Sequence, residues 1–320
     1  TIIDPNEAGR GFSFHSGEDA NSILDGLTIT NSYKNYGGGI YCYDSNPMVT
    51  NCTITGNSAD YGGGIACVLS NPRLTNCIIS GNSTYERGGA IACSESSPTI
   101  INCTISGNEA SNSGGGIDCY RNSSPTINNC ILWGNSATDG DEIALRSETY
   151  PSGITVSYSD VKGGHTEVYV ESGCALNWEE GNIDADPCFA SFDHHWAPTL
   201  WDFHLQSAYG RWEPNDQLWV VDSNTSACID AGDPNSDWNG ELWPNGKRIN
   251  MGAFGGTTGA SMYGNIADFD VSSKVDCNDL AEITTRWLTE QDCIMDLKSD
   301  GRIDFADFAL FADNWLWQKQ

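Results

Sequence analysis

Gly37-Gly-Gly-Ile-Tyr-Cys42, Gly62-Gly-Gly-Ile-Ala-Cys67, Gly88-Gly-Ala-Ile-Ala-Cys93 and Gly114-Gly-Gly-Ile-Asp-Cys119 are four versions of one hexapeptide. A proline follows each (Pro47, Pro72, Pro98, Pro125), then an Asn-Cys-x-Ile/Leu element opening at Asn51, Asn76, Asn102 and Asn129. A second asparagine closes each copy: Asn57, Asn82, Asn108, Asn135. The first cysteines are spaced by 25, 26 and 26 residues and the second by 25, 26 and 27. Five columns therefore share one period, which makes repetition the first fact about the chain.

A period near 25 built from short β-branched runs between Gly, Asn and Pro excludes a helical repeat. Each copy has room for about three strands, joined by turns too short for crossover helices. Stacking each copy on the last at roughly 4.8 Å pairs every strand, which is a parallel β-helix. The fold class is thus all-β, a solenoid of coils of about 25 residues, with a small helical module after it. Asparagine columns at the corners are expected to hydrogen-bond from coil to coil, and the Gly clusters to supply positive φ.

The register extends past the four clear copies. In the flanking coils the cysteine slots fall on Phe14, Leu27, Leu145 and, approximately, Tyr158. Large apolar residues there imply that Cys42, Cys52, Cys67, Cys77, Cys93, Cys103, Cys119 and Cys130 point inward. Their joint appearance in the same coils favours disulfides within a coil, such as Cys42–Cys52. Pairing up a column and buried free thiols are the rival readings.

Residues 1–160 are read as the solenoid and 161–265 as irregular final coils with Trp-rich loops or a cap. The last stretch, 266–320, is a separate module. The middle stretch carries Trp178, Trp196, Trp201, Trp212, Trp219, Trp238 and Trp243, expected to pack over an exposed coil end. Cys174, Cys188 and Cys228 leave one odd cysteine there. The chain opens in register at Thr1 with no capping element and no signal-peptide pattern. The expectation is a mature or truncated product, with either an N-terminal segment missing from it or its open first coil covered by something else, such as another subunit.

Within the C-terminal module, a pair of segments carries oxygen donors at the spacing of an EF-hand loop. The first offers Asp268, Asp270, Ser272, the carbonyl of Lys274, Asp276 and Asp279. The second offers Asp296, Asp300, the carbonyl of Arg302, Asp304 and Asp307. Such a set suits a hard cation, and Ca2+ is the cofactor it implies. Lys298 stands at the third position of the second loop and cannot ligate, so that site should be weaker. Ser273 replaces the usual glycine of the first. Cys277 and Cys293 flank the first helix and are candidates for a clamp.

The chain has 320 residues, 43 acidic against 15 basic, and a formal net charge of −28. That balance argues against nucleic acid and anionic membranes as partners. No apolar run is long enough to span a bilayer. Thirteen cysteines without a CxxC pair point to an oxidising, extracellular setting.

The Asn-Cys-Thr-Ile-Ser-Gly-Asn and Gly-Gly-Gly-Ile repeats resemble right-handed parallel β-helix repeat proteins abundant in planctomycete-type bacteria. The tail Ile303 to Leu316 resembles their dockerin-like ends, in which a loop and one following helix are duplicated and position 12 is Asp. Gly181 to Pro187 and Cys228 to Asp233 resemble them too. The resemblance implies secretion or cell-surface location and a cohesin-like partner or neighbouring copies of the chain.

Two functions compete. One is a non-catalytic structural or adhesive rod, attached or assembled head-to-tail through the calcium module. The other is a carbohydrate-active enzyme or polysaccharide-binding solenoid. Catalysis has weak candidates: Lys34, Arg73, Arg87 and Arg121 as bases, the pair His194-His195, and the run Asp139 to Glu142, each read as a solvated loop. N-x-Ser/Thr acceptors occur at Asn51, Asn82, Asn102, Asn122 and Asn224. The first and third are read as corner residues and the others as loop residues open to glycans.

Overall fold

The computed structural model describes residues 1–147, 150–192, 201–272, 274–285, 295, 297–298 and 302–315. One coil follows the chain through Met48–Thr50, Thr53–Thr55, Ser58–Tyr61 and Ile65–Val68, and Arg73–Thr75 then stacks on Met48–Thr50. We number the four sheets built from these positions 1 to 4. Sheets 1, 2 and 4 each hold seven parallel strands, and sheet 3 holds four. The solenoid thus makes about seven turns, and its pairing runs on to Ala175–Trp178, beyond residue 160.

Strands of three to five residues turn one or two side chains inward, and in the four repeat coils each strand of sheets 1, 2 and 4 places an aliphatic residue there. Ile54, Ile79, Ile105 and Leu132 line sheet 2, while Val49, Leu74, Ile100 and Ile127 line sheet 1. Ile40, Ile65, Ile91 and Ile117 line sheet 4, and these residues form one dry column through the molecule. Identical or similar aliphatic side chains stack at the strand spacing, so each coil buries the apolar edge of the one before.

Three of the corners obey one rule. A residue with positive φ breaks the strand: Asp44, Leu69, Glu95 and Arg121 after sheet 4; Asn51, Asn76, Asn102 and Asn129 after sheet 1; and Gly56, Gly81, Gly107 and Gly134 after sheet 2. The next residue turns inward and accepts the backbone N–H of its counterpart in the preceding coil; after Arg121 the acceptor is one place later, because Asn122 also has positive φ and Ser123 follows it. Ser70, Ser96 and Ser123 do so with their hydroxyls at 3.0–3.2 Å. Asn82, Asn108 and Asn135 do so with Oδ1 at 2.9–3.0 Å. Cys103 and Cys130 do so with Sγ at 3.4 Å. These bonds satisfy inward-facing amides that the curved corner removes from the sheet ladder. The fourth corner needs glycine. At Gly62, φ 66°, a Cβ would stand 2.3 Å from the Ile65 carbonyl oxygen.

The two cysteine columns are therefore different structures. Cys42, Cys67, Cys93 and Cys119 stack mid-strand in sheet 4, between Phe14 and Leu145 as the register required. Cys52, Cys77, Cys103 and Cys130 form a corner ladder that ends on Ser159, not Tyr158, which is the positive-φ corner residue itself. All eight are buried free thiols, so the disulfides expected within a coil are not what the structure holds. The thiol of Cys67 bonds those of Cys42 and Cys93, its neighbours up and down the column. A hydrogen-bonding thiol in the next coil, together with burial, holds Cys42 and Cys93 well above the ordinary thiol range. These are inert core groups. Packing explains their number without recourse to a compartment.

Of the two columns only the second bonds asparagine to asparagine from coil to coil, whereas Asn51 of the first donates to Asp25 of the preceding coil. Asn82 in the ladder is 1 % exposed, so it is not a loop glycan acceptor. The first column faces outward and does something else. Asn76 Nδ2 donates to the carbonyls of Ala253 and Gly255 at 3.0 and 2.8 Å, and Asn129 Oδ1 accepts from Asp233 N at 2.7 Å. These bonds hold the segment after residue 183, which folds back along the outside of sheet 2. Phe189, Phe203, Leu205, Ile229 and Met251 pack there on Ile78, Ile131 and Trp133. We call this segment the flank. It covers the side of the stack and not the end of a coil, because sheet 2 turns Ile78, Ile131 and Trp133 outward. Two antiparallel pairs brace it: Phe189–Ser191 with Asp202–Leu205, and Arg211–Glu213 with Leu218–Val220.

Candidate metal centre

The C-terminal module builds its own core from two copies of one pattern 28 residues apart. Ala267 and Met295, Val275 and Ile303, and Ile283 and Phe311 are equivalent pairs, and all six are buried together with Phe269. Helix α1 (Cys277–Thr285) follows the first loop and α2 (Phe305–Asp313) the second.

Around these pairs the loops fold with the same hydrogen bonds. Asp279 Oδ1 accepts from Asp270 N at 3.2 Å, and Asp307 Oδ1 from Lys298 N at 3.0 Å. Asp279 Oδ2 accepts from Asp276 N at 2.9 Å, and Asp307 Oδ2 from Asp304 N at 2.8 Å. Asp276 Oδ1 then takes Asn278 N, and Asp304 Oδ1 takes Ala306 N. The twelfth-position aspartate in each loop is fully buried and accepts the N–H of the residue preceding its helix, drawing the loop around it; in α2 this completes a capping box with the N-cap Asp304.

In the first loop Asp268, Asp270 and Asp279 bring one carboxylate oxygen each to within 4.8 Å of one another. Two oxygens bound to one calcium ion, each at about 2.4 Å, can lie no more than about 4.8 Å apart, so the spacing fits. Ser272 N donates to Asp268 and Asp270 at 3.0 and 2.9 Å, which folds the loop around the cluster. The Ser272 hydroxyl bonds the Lys274 carbonyl, the seventh-position donor. Three converging carboxylates with a hydroxyl and a carbonyl beside them are a hard-cation donor set.

In the second loop Lys298, Arg302, Asp304 and Asp307 are in place, while Asp296 and Asp300 lie outside the described residues. So does Cys293, the expected partner of Cys277, which is an exposed thiol. His194 and His195 also lie outside them. The run Asp139 to Glu142 is only partly solvated: Asp141 is exposed, Asp139 half-buried and Glu142 buried. Asp139 pairs with Arg146 at 3.3 Å, Asp141 caps Ala137 N at 2.8 Å, and Glu142 is buried at the end of the asparagine ladder, bonded to Asn135.

Trp243 belongs to the flank, and in the sequence it is one of several clustered tryptophans. It stacks on Phe269, which stacks on Phe311, at centroid distances of 6.4 and 6.2 Å. Its Nε1 donates to the Ile266 carbonyl at 2.7 Å, and Lys247 Nζ donates to the Phe269 carbonyl at 3.1 Å. The two-loop module is therefore seated on the flank and not strung on a loose linker. Nothing in the local sequence around Trp243 announces this; only the spare apolar surface of Phe269 hints at a partner.

The stacked parallel coils define a β-solenoid, and the comparison with known families agrees. Residues 6–177, more than half of the chain, match the family described as right handed beta helix region. The chain belongs to that family. Comparison with curated proteins and with solved structures found no match.

Proposed function

We propose that the protein is a non-catalytic extracellular rod whose C-terminal region is a dockerin-like, calcium-loaded module. That module joins the rod to a cohesin-like partner or to neighbouring copies of the chain, head to tail in a fibre. The observation that carries the reading is the repeated hydrogen-bond scheme of the two loops, with the three-carboxylate cluster in the first. A duplicated loop and helix with aspartate at position 12 is a calcium architecture, and bound calcium would supply the charge neutralisation that lets those carboxylates converge. Seating on Trp243 supports the rod reading, since it ties the joining module to the solenoid's flank. A heterologous contact that does not close produces an open filament.

Electron microscopy and sedimentation of the full chain with calcium and with a chelator test this. Calcium-dependent filaments, or calcium-dependent capture of a cohesin domain, are the expected results. Monomers in both conditions, together with no cohesin binding, would overturn the reading.

A further inference from the structure

Near the second and third coils, where the flank leaves the outer face of sheet 2, a cleft of about 380 Å3 opens. Asn51, Thr53 and Asn76 line it from the coils, and His204, Trp212 and Phe254 from the flank. His204 is fixed on several sides. Asp202 Oδ1 sits 2.5 Å from ring Nδ1 and also accepts the His204 backbone N–H at 3.0 Å. Phe254 stacks on the ring at 3.6 Å between centroids, 17° from parallel. Behind them Arg211 reaches Asp202 at 3.5 Å and bonds Glu213 and Asp222, so the orienting carboxylate is itself held.

With Nδ1 against a carboxylate, the neutral ring keeps its proton there and offers a lone pair on Nε2. Nε2 lies 3.6 Å from where a Cβ on Gly259 would stand, and Gly259 belongs to the cleft wall. Among the described residues no hydrogen bond occupies Nε2, and His204 and Gly259 both line the cleft. Trp212 stands on the hairpin opposite Trp219, edge to face at 5.8 Å, which fixes the indole as a wall.

The wall is also uncharged. Among the described residues, no Asp, Glu, Lys or Arg lines this cleft, in a chain with 43 acids and 15 bases. A charged ligand would lose its water without gaining a counter-charge. A neutral polyhydroxylated ligand would meet an aromatic surface for its C–H face, amide and hydroxyl groups for its hydroxyls, and one oriented acceptor.

We propose that this cleft binds a neutral oligosaccharide, with Trp212 as the stacking wall and His204 Nε2 accepting a hydrogen bond from a sugar hydroxyl. The site is distinct from the calcium loops and stands whether or not they bind calcium.

Isothermal titration of the full chain with neutral gluco-, xylo- and manno-oligosaccharides tests it, with oligogalacturonate as the charged comparison. Saturable binding of at least one neutral sugar is expected, at least tenfold weaker in Trp212→Ala and in His204→Ala and unchanged in Gln217→Ala at the exposed hairpin tip. Trp212→Phe, which keeps an aromatic wall, should retain some of the affinity. It keeps the test decisive if the alanine variant does not fold. Absence of neutral-sugar binding at millimolar concentration, wild-type affinity in both Trp212 variants, or stronger binding of oligogalacturonate would each overturn the proposal.

Discussion

The backbone N–H of Cys77 donates to Sγ of Cys103, one coil further on, at 3.4 Å. The bond occupies the place that an asparagine or serine fills at the other two inward corners. The first cysteine column has no such duty, and its members touch one another mid-strand. Replacing sulfur by oxygen should therefore separate the columns. Cys103→Ser keeps an acceptor at the corner, and its own hydroxyl can still reach the Ile101 carbonyl that the thiol uses at 3.3 Å. Its cost should stay below about 1 kcal/mol. Cys93→Ser puts a hydroxyl into the apolar column and should cost about 2 kcal/mol. Urea unfolding of the two variants measures the difference; equal losses would make the columns equivalent.

Three buried carboxyls set the pH response. Burial pushes Glu142 up to about 8, Asp160 to about 7 and Glu241 to about 7. Between the ordinary carboxylate range and these values the folded chain holds protons that the unfolded chain has released. Stability is then fully present below about pH 4 and falls as pH rises through 7 to 8. For Glu142 alone the shift corresponds to roughly 5 kcal/mol. Repulsion within a chain of net charge −28 acts in the same direction. Urea midpoints should be higher at pH 5 than at pH 8, and Glu142→Gln should flatten some of the slope. Gln fits because one amide oxygen can take both Asn135 donors, as Asn135 Oδ1 already does for Asn108. A midpoint that rises towards pH 8 contradicts the assignment.

The first calcium loop can be tested apart from assembly. Asp279 carries one of the three converging carboxylate oxygens and holds the loop's N–H groups. Asp279→Asn should weaken calcium binding at least tenfold by calorimetry. At one hundred times the dissociation constant, calcium adds about 2.7 kcal/mol of stability to a site it binds only when folded, and the variant should lose most of that gain. Trp243→Ala should leave calcium affinity little changed yet free the module from the flank. Scattering should report this as a larger radius of gyration, and proteolysis as a new cut near residue 265.

What the sequence made legible follows from what a period can encode. Gly62, Ile65 and Cys67 each fall in a column, so the coil, its inward faces and the slots of Phe14 and Leu145 could be read directly. The role of a column was harder. Cys67 and Cys77 look alike in sequence, yet one lies mid-strand and the other directly after a positive-φ corner. The usable signal was the residue before, since Asn76 precedes one and Ala66 the other. The flank was the least legible region. Phe203, Ile229 and Met251 reach sheet 2 through aperiodic loops, and the outward Ile78, Ile131 and Trp133 were the only local sign that this face is covered. In the metal module the ligand spacing was plain, whereas the stacking of Trp243 on Phe269 is a long-range contact that no spacing records.

The asparagine ladder makes the sharpest demand on a single side chain. Asn108 Oδ1 accepts both the backbone N–H and Nδ2 of Asn82, at 3.0 and 2.9 Å. Its own Nδ2 donates to the Ile79 carbonyl, the Ser106 carbonyl and Asn135 Oδ1. Donor and acceptor ends of the amide are therefore both committed, 1 % exposed, in a dry interior. Asn108→Asp keeps the shape and the acceptor but turns a carboxylate oxygen towards three acceptor oxygens. The ionised form then faces repulsion where it had hydrogen bonds, and a cost of at least about 3 kcal/mol is expected at neutral pH. Protonation restores one donor, so the penalty should shrink in acid, opposite to a loss caused by packing alone. Urea unfolding of the variant at pH 4 and pH 7 separates the two causes. A penalty independent of pH would show that the ladder acts through shape and not through its hydrogen bonds.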